Sequence, residues 1–252
     1  MKTISEQTIY ILAGIFVAPF VPFLYWQGRQ TRKKVGRLPD AAGASFGKFG
    51  EGAETLNLLA IGESTVAGVG AAHHAEALAG QLAKYLSLET GKSVRWHVVG
   101  ESGITARETL KRLVPLVPDA EMDLVVIGLG GNDTFKVNSP NRYVRDMSKL
   151  TESLRGKYPA AKILLTNTPM VIDFTVLPEP LKSILWRVSR LHHAAIKRAV
   201  LQMKNVFYFD EAGRVGADFF SDGIHPSPYG YALWSEAMIK YLLKQTRIQR
   251  KM

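Results

Sequence analysis

The sequence contains no cysteine among its 252 residues. This absence excludes a disulfide scaffold, a cysteine-ligated zinc site, an iron–sulfur cluster and a cysteine nucleophile. Internal repeats and heptad runs are missing as well. Hydrophobic residues make up 46% of the chain and charged residues 21%, which is typical of a globular protein and excludes general disorder. We therefore expect one large domain with an appendage, or at most two small domains.

Acidic residues are scarce at the start of the chain. Residues 1–37 contain one acid, Glu6, against six basic residues, and so carry +5 of the total net charge of +10. A basic protein suggests nucleic-acid binding, but no aromatic-basic recognition motif is present, and we predict no nucleic-acid partner. Because the charge lies beside an apolar run, it favours a membrane surface. The six basic residues are Lys2, Arg29, Arg32, Lys33, Lys34 and Arg37.

Charge is absent altogether from Thr8 to Trp26, a run of 19 residues. As a helix this run would be about 28 Å long, close to the roughly 30 Å hydrocarbon core of a bilayer. Pro19 and Pro22 would kink such a helix, which membrane helices tolerate. The sequence therefore predicts an uncleaved membrane anchor over residues 1–28. A cleaved signal peptide and a buried helix of the soluble domain are the alternatives; the start of the chain and the end of the run fit a signal peptide poorly.

The residues that follow the apolar run predict its orientation. Gln27 to Arg37 carries five positive charges and no acid, so the positive-inside rule places this side, and the domain after it, in the cytoplasm. We expect a single-pass protein with a cytoplasmic catalytic domain. Residues 29–53 are basic and glycine-rich, and we interpret them, and residues 41–53 in particular, as a flexible tether. The remaining residues, 54–252, form the predicted main domain.

Short apolar runs alternate with amphipathic stretches through this domain. Continuous apolar runs are typical of strands that are buried on both faces, and the connections are long enough for helices. The pattern predicts an α/β fold with five parallel strands between layers of helix, and ligands then bind beyond the carboxyl ends of the strands. The predicted strands are 56–61, 94–99, 124–129, 162–166 and 206–209, and the predicted helices are 74–90, 106–113, 142–158, 181–203 and 229–245.

Polar or glycine-rich motifs follow the first three strands. Ser64 lies in the motif Gly-Glu-Ser, and if it begins the next helix its hydroxyl and N–H would face the ligand crevice. Gly103 would allow a backbone N–H to approach an anion closely. Asn132 follows a glycine pair and would offer its side-chain amide. Each residue also has an ordinary structural interpretation, as a helix cap, a turn and an Asx turn respectively.

A fourth motif, Ser-Asp-Gly-Ile-His-Pro over residues 221–226, precedes the last helix. Asp222 and His225 are three residues apart on one tight loop, which can place the carboxylate against one ring nitrogen. The other ring nitrogen is then free to take a proton from a hydroxyl group. A polar loop before a helix is the ordinary alternative.

Together and in this order, the four motifs resemble those of the SGNH hydrolases, also called GDSL-type esterases and lipases. The resemblance covers roughly residues 56–245 and matches Ser64, Gly103, Asn132 and His225 to the four residues that name the family. It implies a flavodoxin-like three-layer α/β/α domain that hydrolyses an ester or thioester. The family's usual Gly-Asp-Ser is Gly-Glu-Ser here, with Glu63 in place of the aspartate, which puts local packing in question rather than catalysis.

The resemblance implies a mechanism through an acyl-enzyme, with Ser64 as nucleophile, His225 as general base and Asp222 as the residue that orients it. The oxyanion would be bound by the N–H groups of Ser64 and Gly103 and by the amide of Asn132. No metal or cofactor is required. Acyl transfer by the same intermediate and a catalytically silent membrane-bound module are the alternative functions.

The sequence identifies the substrate only as a small-molecule or lipid ester. Residues 174–186 could line an acyl groove, touch the bilayer, or pack a helix onto the sheet. The adjacent histidine pairs, His73 with His74 and His192 with His193, lack zinc-site spacing and are interpreted as surface or groove residues. The acyl length, leaving group and oligomeric state are not predicted.

Overall fold

The computed structural model describes residues 5–211 and 213–249. Its centre is a six-stranded sheet with the order β1-β3-β2-β4-β5-β6. Five of these strands are parallel, and β1 pairs with β3 in the antiparallel direction. The strands are β1 (Phe46–Phe49), β2 (Thr55–Gly62), β3 (Ser93–Gly100), β4 (Leu124–Gly128), β5 (Lys162–Leu165) and β6 (Val206–Tyr208).

Eight α-helices accompany the sheet within the described residues. The predicted helix that began at residue 74 begins four residues later, at Leu78, and the last helix ends four residues later than predicted, at Gln249, whereas the other helix boundaries lie closer to those predicted. The helices are α1 (Glu6–Val17), α2 (Val21–Val35), α3 (Leu78–Thr90), α4 (Ala106–Arg112), α5 (Gly131–Phe135), α6 (Pro140–Lys157), α7 (Leu181–Val200) and α8 (Pro228–Gln249).

Two hydrophobic cores, one on each face of the sheet, confirm the predicted three layers. Alternate residues of a strand point to opposite faces. Accordingly Leu59 and Ile61 of β2 pack with α4, α6 and α7, whereas Leu58 and Ala60 of the same strand pack with α3 and α8. The apolar runs of the sequence are continuous because both faces of the parallel strands are covered by helices.

Strand β1 lies in the segment that we expected to be a flexible tether. Its register places Gly47 opposite Trp96 of β3, so residues 46–49 are part of the sheet. Earlier in the segment, the N–H groups of Ala41 and Ala42 donate to the carbonyls of Ala67 and Ala72. The flexibility expected for residues 41–53 is therefore wrong for these positions, because backbone hydrogen bonds fix them to the domain.

The apolar run forms α1, a short 3₁₀ turn at Ala18–Phe20 and α2. Pro19 and Pro22 lie at the junction, where a proline removes one backbone donor from the helix. The segment Glu6–Val35 is long and apolar enough to cross a membrane, and most of it is exposed in the structure. It is therefore not the buried core helix that was one of the alternatives.

Candidate active site

Three strand ends bring the predicted motifs to one edge of the sheet. Gly62 at the end of β2 is in register with Gly100 of β3 on one side and Gly128 of β4 on the other. A Cβ atom at Gly62 would lie 2.0 Å from the carbonyl oxygen of Gly128, so only glycine allows this approach. The loops that carry Ser64, Gly103 and Asn132 consequently leave the sheet next to one another.

Ser64 lies in a series of tight turns rather than at the start of a helix. The N–H groups of Val66 and Ala67 donate to the carbonyl of Glu63, and the N–H of Val69 donates to that of Ser64. Helix α3 begins only at Leu78. The expectation that Ser64 begins the next helix is therefore wrong, because Gly68 and Gly70 adopt positive φ angles that a continuous helix does not permit.

The loop before α8 carries Asp222 and His225 to the serine. The Nε2 atom of His225 lies 3.0 Å from the Oγ atom of Ser64, and its Nδ1 atom lies 2.7 Å from Oδ2 of Asp222. Ser221 fixes this loop to the serine turn, since its hydroxyl donates to the carbonyl of Gly70 at 2.7 Å. The structure thus brings the three predicted catalytic residues together, in a geometry suited to proton transfer from serine to imidazole.

Asp222 is held in its charged form. Burial alone would raise the pKa of its carboxyl group, but the hydrogen bonds from the His225 ring, the His225 N–H and the Ile224 N–H outweigh burial and lower the pKa below its ordinary value. The two backbone bonds, of 2.7 and 2.9 Å, occupy Oδ1 and leave Oδ2 for the ring. A charged Asp222 selects the tautomer of His225 whose free Nε2 faces Ser64.

Gly103 has a φ angle of +87°, in the left-handed region that side chains disfavour. A Cβ atom there would meet nothing within 4 Å, so this turn faces open space. Asn132 lies in the first turn of α5, immediately after the glycine pair. Both residues are at the carboxyl edge of the sheet, as the sequence predicts.

Glu63 occupies the position where the family usually has aspartate, and it holds Asn132. Its carboxylate accepts the N–H of Gly131 at 2.7 Å, the N–H of Asn132 at 2.8 Å, and one side-chain N–H of Asn132. The longer side chain therefore crosses from the β2 loop to the β4 loop. Burial raises the pKa of Glu63 to about 7, although these three donors favour its charged form.

A second buried carboxylate, Asp133, was missed by the sequence analysis. One of its oxygens accepts the N–H of Ala106 at 2.9 Å, and the other accepts the side-chain amide of Asn138 at 2.7 Å. Ala106 begins α4 directly after the turn that contains Gly103. Asp133 thereby connects the Gly103 turn to the helix of Asn132. An acid adjacent to Asn132 in the motif was the signal that could have identified it.

One member of each histidine pair differs from the expectation that these are surface or groove residues, whereas His73 is exposed and His193 is half-buried. His192 is fully buried, stacks on Tyr143, and has its Nε2 atom 2.7 Å from the carbonyl oxygen of Asn138. Burial lowers the pKa of His192 to about 4, so it is a neutral core residue. His74 is buried as well.

Residues 174–186 mostly pack against the N-terminal helices. Leu177, Leu181 and Leu185 are buried in a cluster with Leu24 of α2, and Trp186 is partly buried against it. Phe174 belongs to the same cluster and makes an edge contact with Phe220, at a ring-centroid distance of 5.6 Å. These side chains pack against the N-terminal helices and neighbouring loops, in a cluster that contains no strand residue, and so differ from the packing onto the sheet that the sequence suggested.

Comparisons with known proteins identify the family of the chain. The model of the GDSL-like lipase/acylhydrolase family matches residues 60–233. A GDSL-like esterase of Mycobacterium tuberculosis, Rv1075c, is 24% identical over 191 residues, which cover 73% of this chain and 60% of that protein. The esterase TesA of Pseudomonas aeruginosa is 27% identical over 69% of this chain and 82% of its own.

Solved structures show the same fold. Est24, a carbohydrate acetylesterase from Sinorhizobium meliloti, superposes with a TM-score of 0.59 at 21% identity, over 75% of this chain and 99% of its own. At that identity the likeness concerns the fold alone. Since the family model covers more than half of the sequence and includes Ser64, Gly103, Asn132 and His225, the chain belongs to the GDSL-like lipase/acylhydrolase family of serine ester hydrolases, the family that the four motifs indicate.

Proposed function

We propose that this protein is a membrane-associated serine esterase that hydrolyses carboxylic esters through an acyl-serine intermediate. One observation carries the proposal: the continuous contact from Asp222 to His225 to Ser64, with distances of 2.7 and 3.0 Å. A serine hydroxyl is a poor nucleophile at neutral pH and needs a base at this distance. A membrane-bound location favours acyl lipids or acyl thioesters as the subclass of substrate.

In the first half of the reaction, Ser64 Oγ attacks the ester carbonyl while its proton moves to Nε2 of His225. The tetrahedral intermediate carries its negative charge on the former carbonyl oxygen. Collapse of this intermediate breaks the bond to the leaving alcohol, which receives the proton from His225. In the second half, water attacks the acyl-serine by the same route and releases the acid. Asp222 stabilises the imidazolium of both steps without taking its proton.

The oxyanion is stabilised by the N–H groups of Ser64 and Gly103 and by the Asn132 side-chain amide. The arrangement of Glu63 and Asn132 supports this role. One amide hydrogen of Asn132 is donated to Glu63, which fixes the plane of the amide and leaves its second hydrogen for the substrate. A donor that is already oriented costs no reorganisation when the charge develops.

The proposed organisation of the chain keeps residues 1–28 as the membrane-attaching segment, 29–53 as a connection and 54–252 as the hydrolase domain. Strand β1 joins the connection to the sheet. The basic residues of α2 favour an anionic leaflet and so support a cytoplasmic location for the catalytic domain. A reporter fused to the C-terminus should be active in the cytoplasm, and activity confined to the opposite side would refute this orientation.

Substitution of the nucleophile tests the proposed activity. We expect Ser64→Ala to abolish both turnover of p-nitrophenyl esters and labelling by a fluorophosphonate probe, with an unchanged circular dichroism spectrum. Ser102→Ala is the matched control, because Ser102 lies on the same edge of the sheet but donates its hydroxyl to Asp40 instead. Undiminished turnover by the Ser64→Ala variant would refute the assignment. A series of esters from two to sixteen carbons then identifies the preferred acyl length.

A further inference from the structure

The apolar N-terminal segment packs against the catalytic domain at its beginning, at Val17 and from Leu24 to its end. Its buried and half-buried residues recur at intervals of three, four or seven, which is the spacing of one face of a helix. The buried and half-buried positions extend from the beginning of α1 to the end of α2, and they face α7 and its neighbours. The residues of this docked face are Gln7, Tyr10, Val17, Leu24, Gln27, Gly28, Thr31 and Val35.

Polar contacts hold the segment at its beginning. The hydroxyl of Tyr10 donates to the carbonyl of Val137 at 2.6 Å, and the side-chain oxygen of Gln7 accepts the N–H of Asn141 at 3.2 Å. Glu6 forms an ion pair with Arg198, near the end of α7.

The far end of the segment is held as well. The side-chain amide of Gln27 donates to the carbonyl of Glu179 at 2.8 Å, and Leu24 is buried in the cluster beside α7. A Cβ atom at Gly28 would lie 3.9 Å from the side chain of Leu181, the first residue of α7. The segment and α7 therefore run alongside each other in opposite directions, since Glu6 meets the end of α7 and Gly28 its beginning.

These contacts are incompatible with a single crossing of the membrane. Gln7 and Gln27 are about 30 Å apart along a helix, which is the thickness of the hydrocarbon core. If the docked segment crossed the bilayer, α7 would have to cross beside it. The exposed side chains of Arg187, Arg190 and Lys197 on α7 would then lie at membrane depth, where cations are strongly disfavoured.

The face of the segment that points away from the domain is almost entirely apolar. Phe16 is 78% exposed and Tyr25 67% exposed, and aromatic and branched side chains continue along both helices. A surface of this kind marks a site of interaction. Its large exposed residues are Ile9, Ile11, Leu12, Ile15, Phe16, Phe20, Val21, Phe23, Tyr25 and Trp26.

Positive charge lies at the end of the apolar face and on the neighbouring helix α7, and it indicates what covers this face. Two of the α7 cations, Lys197 and Arg198, form ion pairs with Asp210 and Glu6. Helix α7 contains five basic residues and no acid, and the last turns of α2 contain Arg29, Arg32, Lys33 and Lys34. An apolar helix face flanked by lysine and arginine is typical of a helix that lies in the plane of an anionic membrane. A second copy of the chain would bring two such positive rims together and is disfavoured by their repulsion.

The same cluster connects the segment to the active site. Leu24 shares its hydrophobic cluster with Phe174, and with Phe220 and Ile224 packed against it. Ile224 immediately precedes His225. On the other side, Tyr10 contacts Val137, which follows the helix of Asn132. The segment thus borders the site from the histidine loop to the asparagine helix.

From this geometry we propose that α1 and α2 form an in-plane membrane-binding surface. Their outer face inserts into the acyl region of one anionic leaflet, the basic rim contacts the headgroups, and the active site opens beside the lipid. The surface replaces the single crossing that the sequence predicts. It is independent of the proposed esterase activity, since it rests on contacts outside the catalytic residues.

Cysteine labelling distinguishes the two arrangements, and the absence of native cysteine makes single substitutions unambiguous. Ser5→Cys and Gln30→Cys place thiols on exposed residues at the two ends of the segment, the first of them just before α1, and Glu152→Cys marks the domain side. In sealed membrane vesicles that contain the full chain, a membrane-impermeant maleimide should label all three variants from the same side. Labelling of Ser5→Cys only from the side opposite Glu152→Cys would establish a crossing and overturn the proposal.

Lipid specificity provides the second test. The triple variant R32Q/K33Q/K34Q should bind vesicles containing phosphatidylglycerol roughly 100-fold more weakly than the wild type, at about fivefold for each charge. Its weaker binding to pure phosphatidylcholine should be unaffected. Equal loss on both lipids would refute the basic rim. A stable dimer that binds neither kind of vesicle would show that a second copy covers the apolar face.

Both tests are separable from the proposed activity, because adding Ser64→Ala should change neither vesicle binding nor the labelling of the cysteine variants into which it is introduced. Failure of the membrane tests with intact ester hydrolysis overturns the in-plane surface alone. Loss of ester hydrolysis with intact binding concerns the catalytic proposal alone.

Discussion

Asn132 offers two amide hydrogens, and the structure assigns one of them to Glu63. The remaining hydrogen makes Asn132 a donor whose orientation is set by a buried carboxylate. Glu63 also holds the Gly131 and Asn132 N–H groups, so three hydrogen bonds from a single side chain position this part of the site. The carboxylate of Glu63 thus reaches the neighbouring loop, from which it accepts all three hydrogen bonds.

The catalytic role of Asn132 is tested by truncation. We expect Asn132→Ala to lower kcat by about 100-fold with little change in KM, because an oxyanion donor acts mainly in the transition state. Steady-state kinetics with a short p-nitrophenyl ester measure both constants. A large rise in KM with an unchanged kcat would instead make Asn132 a substrate-binding residue.

The raised pKa of Glu63 predicts a dependence of stability on pH. Its carboxyl group titrates near pH 7 in the folded protein, compared with an ordinary value of 4.5. Between these values the folded protein retains a proton that the unfolded chain has lost. The contribution of Glu63 to the free energy of unfolding therefore falls as pH rises through this window, by on the order of 3 kcal/mol.

Glu63→Gln removes this titration. Urea unfolding of the full chain in detergent, at pH 4.5 and pH 7.5, gives the difference in stability between variant and wild type at each pH. We expect the free energy of unfolding of the variant, relative to that of the wild type, to be higher at pH 7.5 than at pH 4.5. A loss of stability that is the same at both pH values does not affect this comparison. An identical difference at both pH values would contradict a raised pKa.

At the residue scale, the sequence identifies the proposed catalytic triad but not the contacts by which Glu63 and Asp133 position the neighbouring loops. Ser64, Asp222 and His225 are recognisable because their motifs are local. The contact of Glu63 with Asn132 depends on the register between β2 and β4, so neither the Glu63 motif nor the Asn132 motif reveals it. The meeting of the three catalytic residues likewise depends on the folded sheet. His192 illustrates the same limit, because its burial depends on how α7 packs.

Among the elements, the parallel strands were predictable and the edge strand was not. The parallel strands are continuous apolar runs, because helices cover both of their faces. Strand β1 contains a glycine and a lysine, is largely exposed, and pairs on one side with β3 alone. Its sequence, Phe-Gly-Lys-Phe in a glycine-rich segment, is equally typical of a linker.

A substitution at Gly47 distinguishes a strand from a linker. A Cβ atom at Gly47 would lie 2.4 Å from the indole ring of Trp96, so Gly47→Ala should displace this buried side chain and lower the free energy of unfolding by about 1–3 kcal/mol. Thermal or urea unfolding measures the effect.

The matched control is Gly156→Ala in α6, where an added Cβ atom meets nothing within 4 Å. This control should be neutral or stabilising by up to about 1 kcal/mol, because alanine favours helix. If Gly47→Ala were as harmless as Gly156→Ala, β1 would not be part of the folded sheet.

For the whole molecule, the proposed membrane-binding surface would bring the active site to substrates that are dissolved in the membrane. If the enzyme acts at an anionic surface, screening of that attraction lowers its concentration there. We expect 1 M salt to reduce turnover of a long-chain ester embedded in anionic vesicles severalfold. Turnover of a water-soluble acetate ester by the same preparation should change little. Equal losses with both substrates would indicate an effect of salt on catalysis itself.

The sequence predicts the membrane affinity of the N-terminal segment but not its geometry. Hydropathy and flanking charge describe the segment alone, and they are satisfied by a crossing and by an in-plane helix. The distinction depends on what the segment touches, above all Gln27 against Glu179 and Tyr10 against Val137, at two distant positions of the chain. Such contacts follow only from the folded domain.

The few residues between α2 and the domain limit where this enzyme can work. Helix α2 ends at Val35, and the N–H of Ala41 is already bonded to Ala67, three positions after Ser64. Even fully extended, the intervening residues 36–40 span no more than roughly 20 Å. The nucleophile would therefore remain within a short reach of the bilayer even if the helices detached from the domain. Soluble esters deep in the surrounding fluid must diffuse to this narrow zone, whereas molecules dissolved in the leaflet are always within it.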